Sequence, residues 1–262
     1  MRDGARPAAA LLLASRAMPA SRDPAFLRRP LRLGPARGDA WRSLSDEELA
    51  LFAGWAEAGT VEDGQVLKAN DVFRHGDHLV KFFPPAAWPL ALRTSAARRS
   101  GRRHAELAWL PVPEPVVSVD GCGPDRRGLL VTRFVDGADL KEMRVDPRAI
   151  DALADYLVRM HGAGVHHGDL HPGNLRWDGT RWWLLDLDAV RSGAHLLRAR
   201  RLRLRQWARL VFKLEGEEWL RGPFDRYLAQ LPIGLEPDEA WRRVLRISRA
   251  LRSVRDKRRA QR

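Results

Sequence analysis

Cysteine is almost absent from this 262-residue chain, and long apolar segments are missing as well. Cys122 is the single cysteine, which excludes an internal disulfide and a cysteine metal cluster; we expect it to be a small buried residue. The longest purely apolar run, residues 8–14, is far shorter than the roughly 20 residues of a transmembrane helix. We therefore expect a cytoplasmic protein without a transmembrane segment.

Lysine and acidic residues are also scarce relative to arginine. The chain has 5 Lys and 41 Arg, and its formal net charge is +13. Such a surface attracts anionic partners such as phospholipid headgroups or phosphorylated glycolipids. Residues 1–40, rich in Ala, Arg and Pro, lack a clear periodic pattern, and we expect a poorly ordered basic leader there.

The most informative segment contains an aspartate, an asparagine and a second aspartate. Asp169 lies in the string His166-His167-Gly168-Asp169-Leu170-His171-Pro172-Gly173-Asn174-Leu175. Asp186 follows in Leu184-Leu185-Asp186-Leu187-Asp188. Phosphoryl transfer from ATP needs one carboxylate to accept the proton of a hydroxyl, and an amide oxygen and a second carboxylate to hold Mg²⁺. We therefore predict Asp169 as the base and Asn174 and Asp186 as metal ligands.

The context of these residues supports the same chemistry. Residues 151–161 have the apolar spacing of an amphipathic helix, and glycines end it before the motif. Residues 175–177 and 181–185 then indicate a short hairpin around Asp178-Gly179. The order of helix, loop, hairpin and aspartate resembles the catalytic region of the protein-kinase fold.

The preceding region predicts a small antiparallel sheet with one helix. Strands are indicated at residues 65–69, 72–74, 78–83, 116–119 and 129–135, and helices at about 45–58 and 91–109. The resulting fold class is α+β, a protein-kinase-like two-lobed fold. It has a β-sheet N-lobe over residues 41–135 and a helical C-lobe over residues 136–262.

Lys81 lies in the apolar strand Leu79-Val80-Lys81-Phe82-Phe83, where a buried ammonium needs a partner. We predict that Lys81 binds ATP phosphates and pairs with Glu106 on the following helix. Thr132 and Phe134, in the segment joining the lobes, are predicted to contact adenine. Lys68 is predicted to cover the phosphates, because no glycine-rich loop is present.

Departures from the protein-kinase pattern narrow the substrate class. Gly168 replaces the arginine of H-R-D, Asp188 replaces the glycine of D-F-G, and no A-P-E segment follows. We therefore expect neither a phosphorylated activation loop nor a large peptide-binding platform.

The string from His167 to Asn174, the Asp-Leu-Asp pattern and the Arg-rich helix after it resemble the lipopolysaccharide core kinases. This family phosphorylates Kdo (3-deoxy-manno-octulosonic acid) or heptose. The resemblance covers roughly residues 60–215 and implies ATP and Mg²⁺ as cofactors, with His167 buttressing the loop. It implies an anionic glycolipid or sugar acceptor. It also implies a cytoplasmic protein in peripheral contact with the anionic cytoplasmic face of the inner membrane. Nucleic acid is not expected as a partner.

The Arg-rich helix allows two interpretations. Arg198, Arg201 and Arg205 recur at helical spacing and are predicted to bind an acidic acceptor, but an ordinary solvated basic face has the same pattern. A soluble aminoglycoside- or choline-type phosphotransferase and a small atypical protein kinase remain alternatives. An inactive binding protein is disfavoured because Lys81, Asp169, Asn174 and Asp186 are all present.

Overall fold

A computed structural model describes residues 28–68, 71–85, 95–197, 199–214 and 219–260. The α-helices in the described residues are α1 (Asp46–Ala58), α2 (Ala96–Glu106), α3 (Pro147–Gly162), α4 (Arg200–Leu214), α5 (Arg221–Gln230) and α6 (Pro237–Ala260). The first seven strands are β1 (Arg29–Leu33), β2 (Ala36–Ala40), β3 (Gln65–Lys68), β4 (Val72–His75), β5 (His78–Phe83), β6 (Pro115–Cys122) and β7 (Arg127–Arg133). The short later strands are β8 (Ala138–Asp139), β9 (Val165–His167), β10 (Leu175–Trp177), β11 (Trp182–Leu184) and β12 (Val190–Ser192).

Strands β1 to β7 form one antiparallel sheet in the order β1-β2-β6-β7-β5-β4-β3. Helix α1 covers one face, where Phe52 and Trp55 join the sheet's main apolar cluster. Helix α2 covers the other face, where Ala97 packs with Phe83 and Leu130. This N-lobe and the helical C-lobe have separate apolar clusters, so the predicted α+β two-lobed fold is confirmed.

The edge hairpin β1–β2 corrects the prediction of a poorly ordered leader over residues 1–40. Residues 29–40 belong to the sheet, and residues 1–27 lie outside the described residues. The hairpin is held because β2 pairs with β6 and because Asp39, only 5% exposed, accepts hydrogen bonds from Arg28 and Arg98. This buried carboxylate on an arginine-rich strand gives little apolar alternation, which is why the pattern was missed.

Local capping explains where α1 begins and ends. The Ser45 hydroxyl accepts from Glu48 N at 3.1 Å, and the Glu48 carboxylate accepts from Ser45 N at 3.1 Å. This reciprocal pair is a capping box, which fixes the first turn of the helix. Gly59 ends the helix with a φ of 71°, a conformation that glycine adopts without steric cost. The predicted end near residue 58 is therefore confirmed.

Helix α2 lies very close to the sheet because Gly101 faces it. A Cβ atom on Gly101 would lie 2.7 Å from Ser118 Oγ and 2.8 Å from Trp41 Nε1. These two side chains are themselves joined, since Trp41 Nε1 donates to Ser118 Oγ at 2.9 Å. The described part of the helix begins after the Ser95 cap and ends at Glu106, within the predicted span of 91–109; residues 86–94 lie outside the description.

The C-lobe core packs α3, α4, α5 and α6 around Trp207, Phe224 and Tyr227. Helix α3 is longer than the predicted 151–161, because Asp146 caps it by accepting from Arg148 N at 2.8 Å. Cys122 is buried in the N-lobe as expected. In the described ranges, none of the helices has the length and hydropathy needed to cross a bilayer.

Candidate active site

The predicted catalytic loop is anchored at its start by strand β9. Val165, His166 and His167 are all buried, and β9 pairs antiparallel with β12, the strand that follows Asp186. Gly164, with a φ of 70°, makes the turn from α3 into β9, where a Cβ would lie 2.5 Å from Gly193 O. Backbone pairing of β9 with β12 therefore holds the loop and the Asp186 segment together independently of side-chain contacts.

His167 ties the two predicted catalytic aspartates to each other. Its Nε2 lies 2.9 Å from Asp186 O, and its Nδ1 accepts from Asp169 N at 3.1 Å. The second bond needs an unprotonated Nδ1, so the neutral tautomer with the proton on Nε2 satisfies both. Burial lowers the pKa of His167, which keeps that form. The predicted buttressing role thus has a geometric basis.

A second buried hydrogen-bond network fixes the loop to helix α4. Gln206 Oε1 accepts from His167 N at 3.0 Å, and Gln206 Nε2 donates to His166 Nδ1 at 2.9 Å. His166 Nε2 in turn lies 2.9 Å from Leu196 O. Gln206 was not predicted as part of the site; its only signal was a polar residue on the apolar face of α4.

Asn174 is oriented by the residue predicted to act as the base. Its Nδ2 donates to Asp169 O at 3.0 Å, which leaves the amide oxygen as the free end of the side chain. The Asp169 carboxylate itself is 65% exposed and accepts from Arg209 Nη1 at 2.6 Å. The loop therefore presents one carboxylate to solvent and one amide oxygen, as proton transfer and metal ligation require.

Lys81 of β5 reaches across to the Asp186 segment. Its Nζ lies 2.7 Å from Asp186 Oδ1 and 2.5 Å from Asp188 Oδ2. Burial alone would lower the pKa of Lys81, but the charges and hydrogen bonds of Asp188 and Asp186 outweigh it and raise that pKa. Burial likewise acts to raise the pKa of Asp186, yet the hydrogen bond and charge of Lys81 lower it overall. Both groups are therefore held in their charged forms.

The predicted pair between Lys81 and Glu106 is not formed. Glu106 is exposed at the last turn of α2, and its carboxylate has no ion-pair partner among the described residues. Helix α2 contacts the Asp186 segment through Arg103 instead, whose Nη1 donates to Leu187 O at 3.3 Å and to Asp188 O at 3.1 Å. Gly101 is the residue of α2 that lies against the sheet, and Glu106, five residues further along the helix, is exposed.

The residues present fit a magnesium ion bound together with a nucleotide. Asp186 and Asp188 would contribute carboxylates and Asn174 an amide oxygen, and Mg²⁺ usually takes one or two carboxylates plus substrate phosphates. In the described part of the chain, no cluster of three or more His, Cys, Asp or Glu residues could hold a metal by itself. Asp186 has a φ of 52°, a left-handed backbone that aspartate tolerates and that turns its carboxylate toward Lys81.

The residues predicted to bind adenine lie along one face of the sheet. Thr132 is 2% exposed, and its Oγ1 has no hydrogen-bond partner in the described residues. Phe134 packs under Arg74, whose guanidinium carbon lies 4.0 Å from the ring centroid. Lys68 is exposed at the end of β3, and residues 69–70 lie outside the described residues. A buried hydroxyl without a partner is uncommon in folded proteins, so Thr132 stays a candidate for the predicted contact with adenine.

Two of the three arginines predicted to bind the acceptor lie in the described residues. Arg201 and Arg205 are exposed on α4, and Arg198 lies outside the described residues. Arg209, one further step of four along the same face, is the arginine that contacts Asp169. The four-residue spacing of these arginines is visible in the sequence. Only the packing of α4 against the catalytic loop shows that Arg209 is the one that contacts Asp169.

Comparison with known proteins identifies the family of this chain. The model of the lipopolysaccharide kinase (Kdo/WaaP) family matches residues 81–229, more than half of the chain. This chain belongs to that family. The matched region begins at Lys81 and includes Asp169, Asn174 and Asp186, so the family assignment rests on the same segments that build the site.

Two curated relatives match over parts of their length. A 3-deoxy-D-manno-octulosonic acid kinase from Xanthomonas axonopodis pv. citri is 32% identical over 114 residues, covering 41% of this chain and 45% of that protein. A probable bifunctional tRNA threonylcarbamoyladenosine biosynthesis protein from Natronomonas pharaonis is 38% identical over 96 residues, covering 36% and 17%. The chain thus spans less than half of either relative.

Among solved structures, an aminoglycoside phosphotransferase from Streptomyces rimosus in complex with ADP and streptomycin is similar. It has 15% sequence identity and a TM-score of 0.47, covering 68% of this chain and 90% of that one. A second, an aminoglycoside-3'-phosphotransferase of type VIII, has 20% identity and a TM-score of 0.44, covering 72% and 92%.

Proposed function

We propose that this protein transfers the γ-phosphoryl group of ATP to a sugar hydroxyl of the lipopolysaccharide inner core, on Kdo or heptose. The observation that carries the proposal is the contact of Lys81 with Asp186 and Asp188, next to a loop that presents Asp169 and Asn174. Family membership supports the same activity.

In this proposal Asp169 accepts the proton of the acceptor hydroxyl as that oxygen bonds to the γ-phosphorus. The bond between the γ-phosphorus and the bridging oxygen breaks, and ADP leaves with the electron pair. Lys81 binds the nucleotide phosphates, while Thr132 and the backbone near Phe134 hold adenine. Asn174 and Asp186 would hold Mg²⁺, which neutralises phosphate charge when bound.

An anionic acceptor is supported by the charge beside the base. Arg209 is the direct partner of Asp169, and Arg201 and Arg205 continue the same exposed face of α4. A guanidinium next to the attacked hydroxyl suits a sugar that carries a carboxylate or phosphate. The relative from Xanthomonas is named for Kdo, an acidic sugar, which favours Kdo over a neutral acceptor.

We further propose that the enzyme acts at the cytoplasmic face of the inner membrane, bound peripherally. The net charge of +13 supports attraction to an anionic surface, where each basic residue near the bilayer contributes about 1 kcal/mol. The test is co-sedimentation with vesicles containing anionic lipid, and binding that persists in high salt would contradict an electrostatic attachment.

A kinase acting on a tRNA-modification partner is the competing function. It is favoured by the identity to the Natronomonas protein over 96 residues. The absence of a long segment for peptide binding after Asp188 disfavours it, because α4 begins only 12 residues later, at Arg200. An aminoglycoside acceptor is disfavoured since a polycation would meet Arg209 beside the base.

The experiment is a panel assay with γ-labelled ATP and Mg²⁺. The acceptors are Kdo-bearing lipid A, the same lipid A without Kdo, an aminoglycoside set and a generic protein. The proposal expects label on the Kdo-bearing glycolipid and none on its Kdo-free counterpart. Label confined to the protein or the aminoglycosides would overturn the assignment of the acceptor while leaving the kinase chemistry intact.

A further inference from the structure

A basic pocket lies away from the active site, at the start of helix α4. Its volume is about 570 Å³, and it lies between the N-terminus of α4 and the connection from α5 to α6. The lining residues are Ala199, Arg200, Arg201, Arg203, Pro232 and Ile233. Three guanidinium groups and no carboxylate therefore surround it, within the part of the chain that the structure describes.

Arg203 is the unusual member of this group. It is only 5% exposed, and its Nε is buried without a hydrogen-bond partner in the described residues. Its Nη1 donates to Leu231 O over a long 3.4 Å, and the Tyr227 hydroxyl is a further hydrogen-bonding neighbour. Both neighbours are neutral. A buried cation without a counter-ion costs free energy, which a bound anion would recover.

The helix itself adds to the positive field of this pocket. Helix α4 has 15 residues and no acidic residue in its first turn, so its N-terminal dipole faces no side-chain carboxylate of that turn. Arg200 and Arg201 are exposed at the rim, where they are free to swing toward a ligand. Pro232 and Ile233 supply an apolar wall on the opposite side.

We infer that this pocket binds a phosphate monoester group. The three forked guanidinium groups match the several oxygens of a phosphate, and the helix N-terminus favours a dianion. Arg209 lies six residues beyond Arg203 and nine beyond Arg200, which corresponds to about 9–13 Å of helix. The pocket is therefore separate from the reacting atoms. If the proposed function holds, it anchors a phosphate carried by the same glycolipid acceptor.

The first arm of the test measures binding alone, without ATP, Mg²⁺ or acceptor. Thermal unfolding and calorimetry are followed with inorganic phosphate or glucosamine 1-phosphate against chloride at matched ionic strength. Arg201→Gln and Arg203→Met are compared with Arg249→Gln, an exposed α6 variant with the same change of charge. We expect phosphate affinity to fall about ten- to hundredfold in the first two and to remain unchanged in the third.

Arg203→Met also distinguishes loss of the phosphate site from loss of folding. Because methionine fills a similar volume without the buried charge, this variant should unfold at the same or a higher temperature than the wild type in chloride. Its unfolding temperature should no longer respond to phosphate. An equal phosphate response in the wild type, Arg201→Gln and Arg203→Met would overturn the site.

The second arm distinguishes a glycolipid phosphate from free phosphate. Transfer to Kdo-bearing lipid A is compared with transfer to the same acceptor after removal of its lipid A phosphates. Arg203→Met, which leaves the exposed arginines of α4 in place, should raise KM about tenfold for the phosphorylated acceptor only. Equal KM changes for both acceptors would reject the anchoring role but leave the phosphate site standing. Absence of transfer to either acceptor would contradict the proposed function. It would not affect the phosphate site, because the first arm measures binding without catalysis.

Discussion

Replacing Lys81 with methionine should separate two consequences of its position between carboxylates. Its Nζ lies 2.7 Å from Asp186 and 2.5 Å from Asp188, so the ammonium neutralises the groups that are expected to bind metal. Lys81→Met removes this charge without removing either carboxylate. We therefore expect the variant to bind a divalent ion more tightly while it loses phosphoryl transfer.

The size of the gain follows from the charges involved. A single charge about 5 Å from a divalent ion contributes roughly 1.7 kcal/mol in bulk water and about 6.6 kcal/mol at an effective dielectric of 20. The side chains of Asp186 and Asp188 are 50% and 37% exposed, so solvent screens the site and a value near the lower end, about 2 kcal/mol, is appropriate. That corresponds to about 30-fold tighter binding. Loss of a phosphate-binding cation should meanwhile reduce kcat about 10²–10³-fold.

The assay is a titration of nucleotide-free protein with Mn²⁺, detected by the electron paramagnetic resonance signal of the free ion. Lys141→Met, an exposed substitution outside the cleft, is the matched control because it makes the same change of charge. Mn²⁺ affinity that is equal in wild type, Lys81→Met and Lys141→Met would refute the assignment of Asp186 and Asp188 to the metal region. Retained transfer by Lys81→Met would refute its role toward ATP.

Three further predictions follow from single contacts. Arg209→Gln should raise KM for an acidic acceptor about tenfold and leave KM for ATP unchanged, and a change confined to ATP would contradict its place beside Asp169. Glu106→Gln should alter kcat less than twofold, since Glu106 is exposed and Lys81 has other partners; a hundredfold loss would restore the predicted ion pair. Burial lowers the pKa of His104 to about 4 and that of His161 to about 3. In the unfolded chain both histidines have the ordinary pKa of about 6.5, so below that pH the unfolded chain binds more protons than the folded protein. Stability should therefore drop by about 2.7 kcal/mol per pH unit between pH 6 and pH 4 in urea unfolding, and a flat profile would contradict this.

Much of the catalytic loop was predictable because its chemistry is local. The string around Asp169, Asn174 and Asp186 specifies side-chain types at fixed spacing, and helix periodicity and glycine turns set its neighbours. The capping box at Ser45 and Glu48 was predictable for the same reason. In each case the interacting groups lie within one turn or one loop of each other.

The partner of Lys81 was not predictable, because it depends on contacts between distant segments. The rotation of α2 is set by the close approach of Gly101 to Ser118 and Trp41, which are remote in sequence. The sequence shows a glutamate on the helix but not the direction that it faces. Asp188, placed where the kinase pattern has glycine, was the available signal for a second carboxylate near Lys81.

The buried arginine Arg203 was missed for a related reason. It interrupts the apolar stripe of α4 and therefore has the appearance of a surface residue in a periodic analysis. Only the packing of α4 against the connection between α5 and α6 shows that it is enclosed. The edge hairpin of residues 29–40 follows the same rule, since its pairing partner β6 is about 80 residues away.

The most direct test of the central claim compares ATP binding and phosphoryl transfer in Asp169→Asn. The Asp169 side chain is 65% exposed and its side-chain ion pair is with Arg209, so the substitution should change the unfolding free energy by less than about 1 kcal/mol. We predict that the variant binds ATP with wild-type affinity and transfers phosphate about 10²–10⁴-fold more slowly. A variant that folds, binds ATP and transfers phosphate at the wild-type rate would contradict the assignment of Asp169 and the active site built around it.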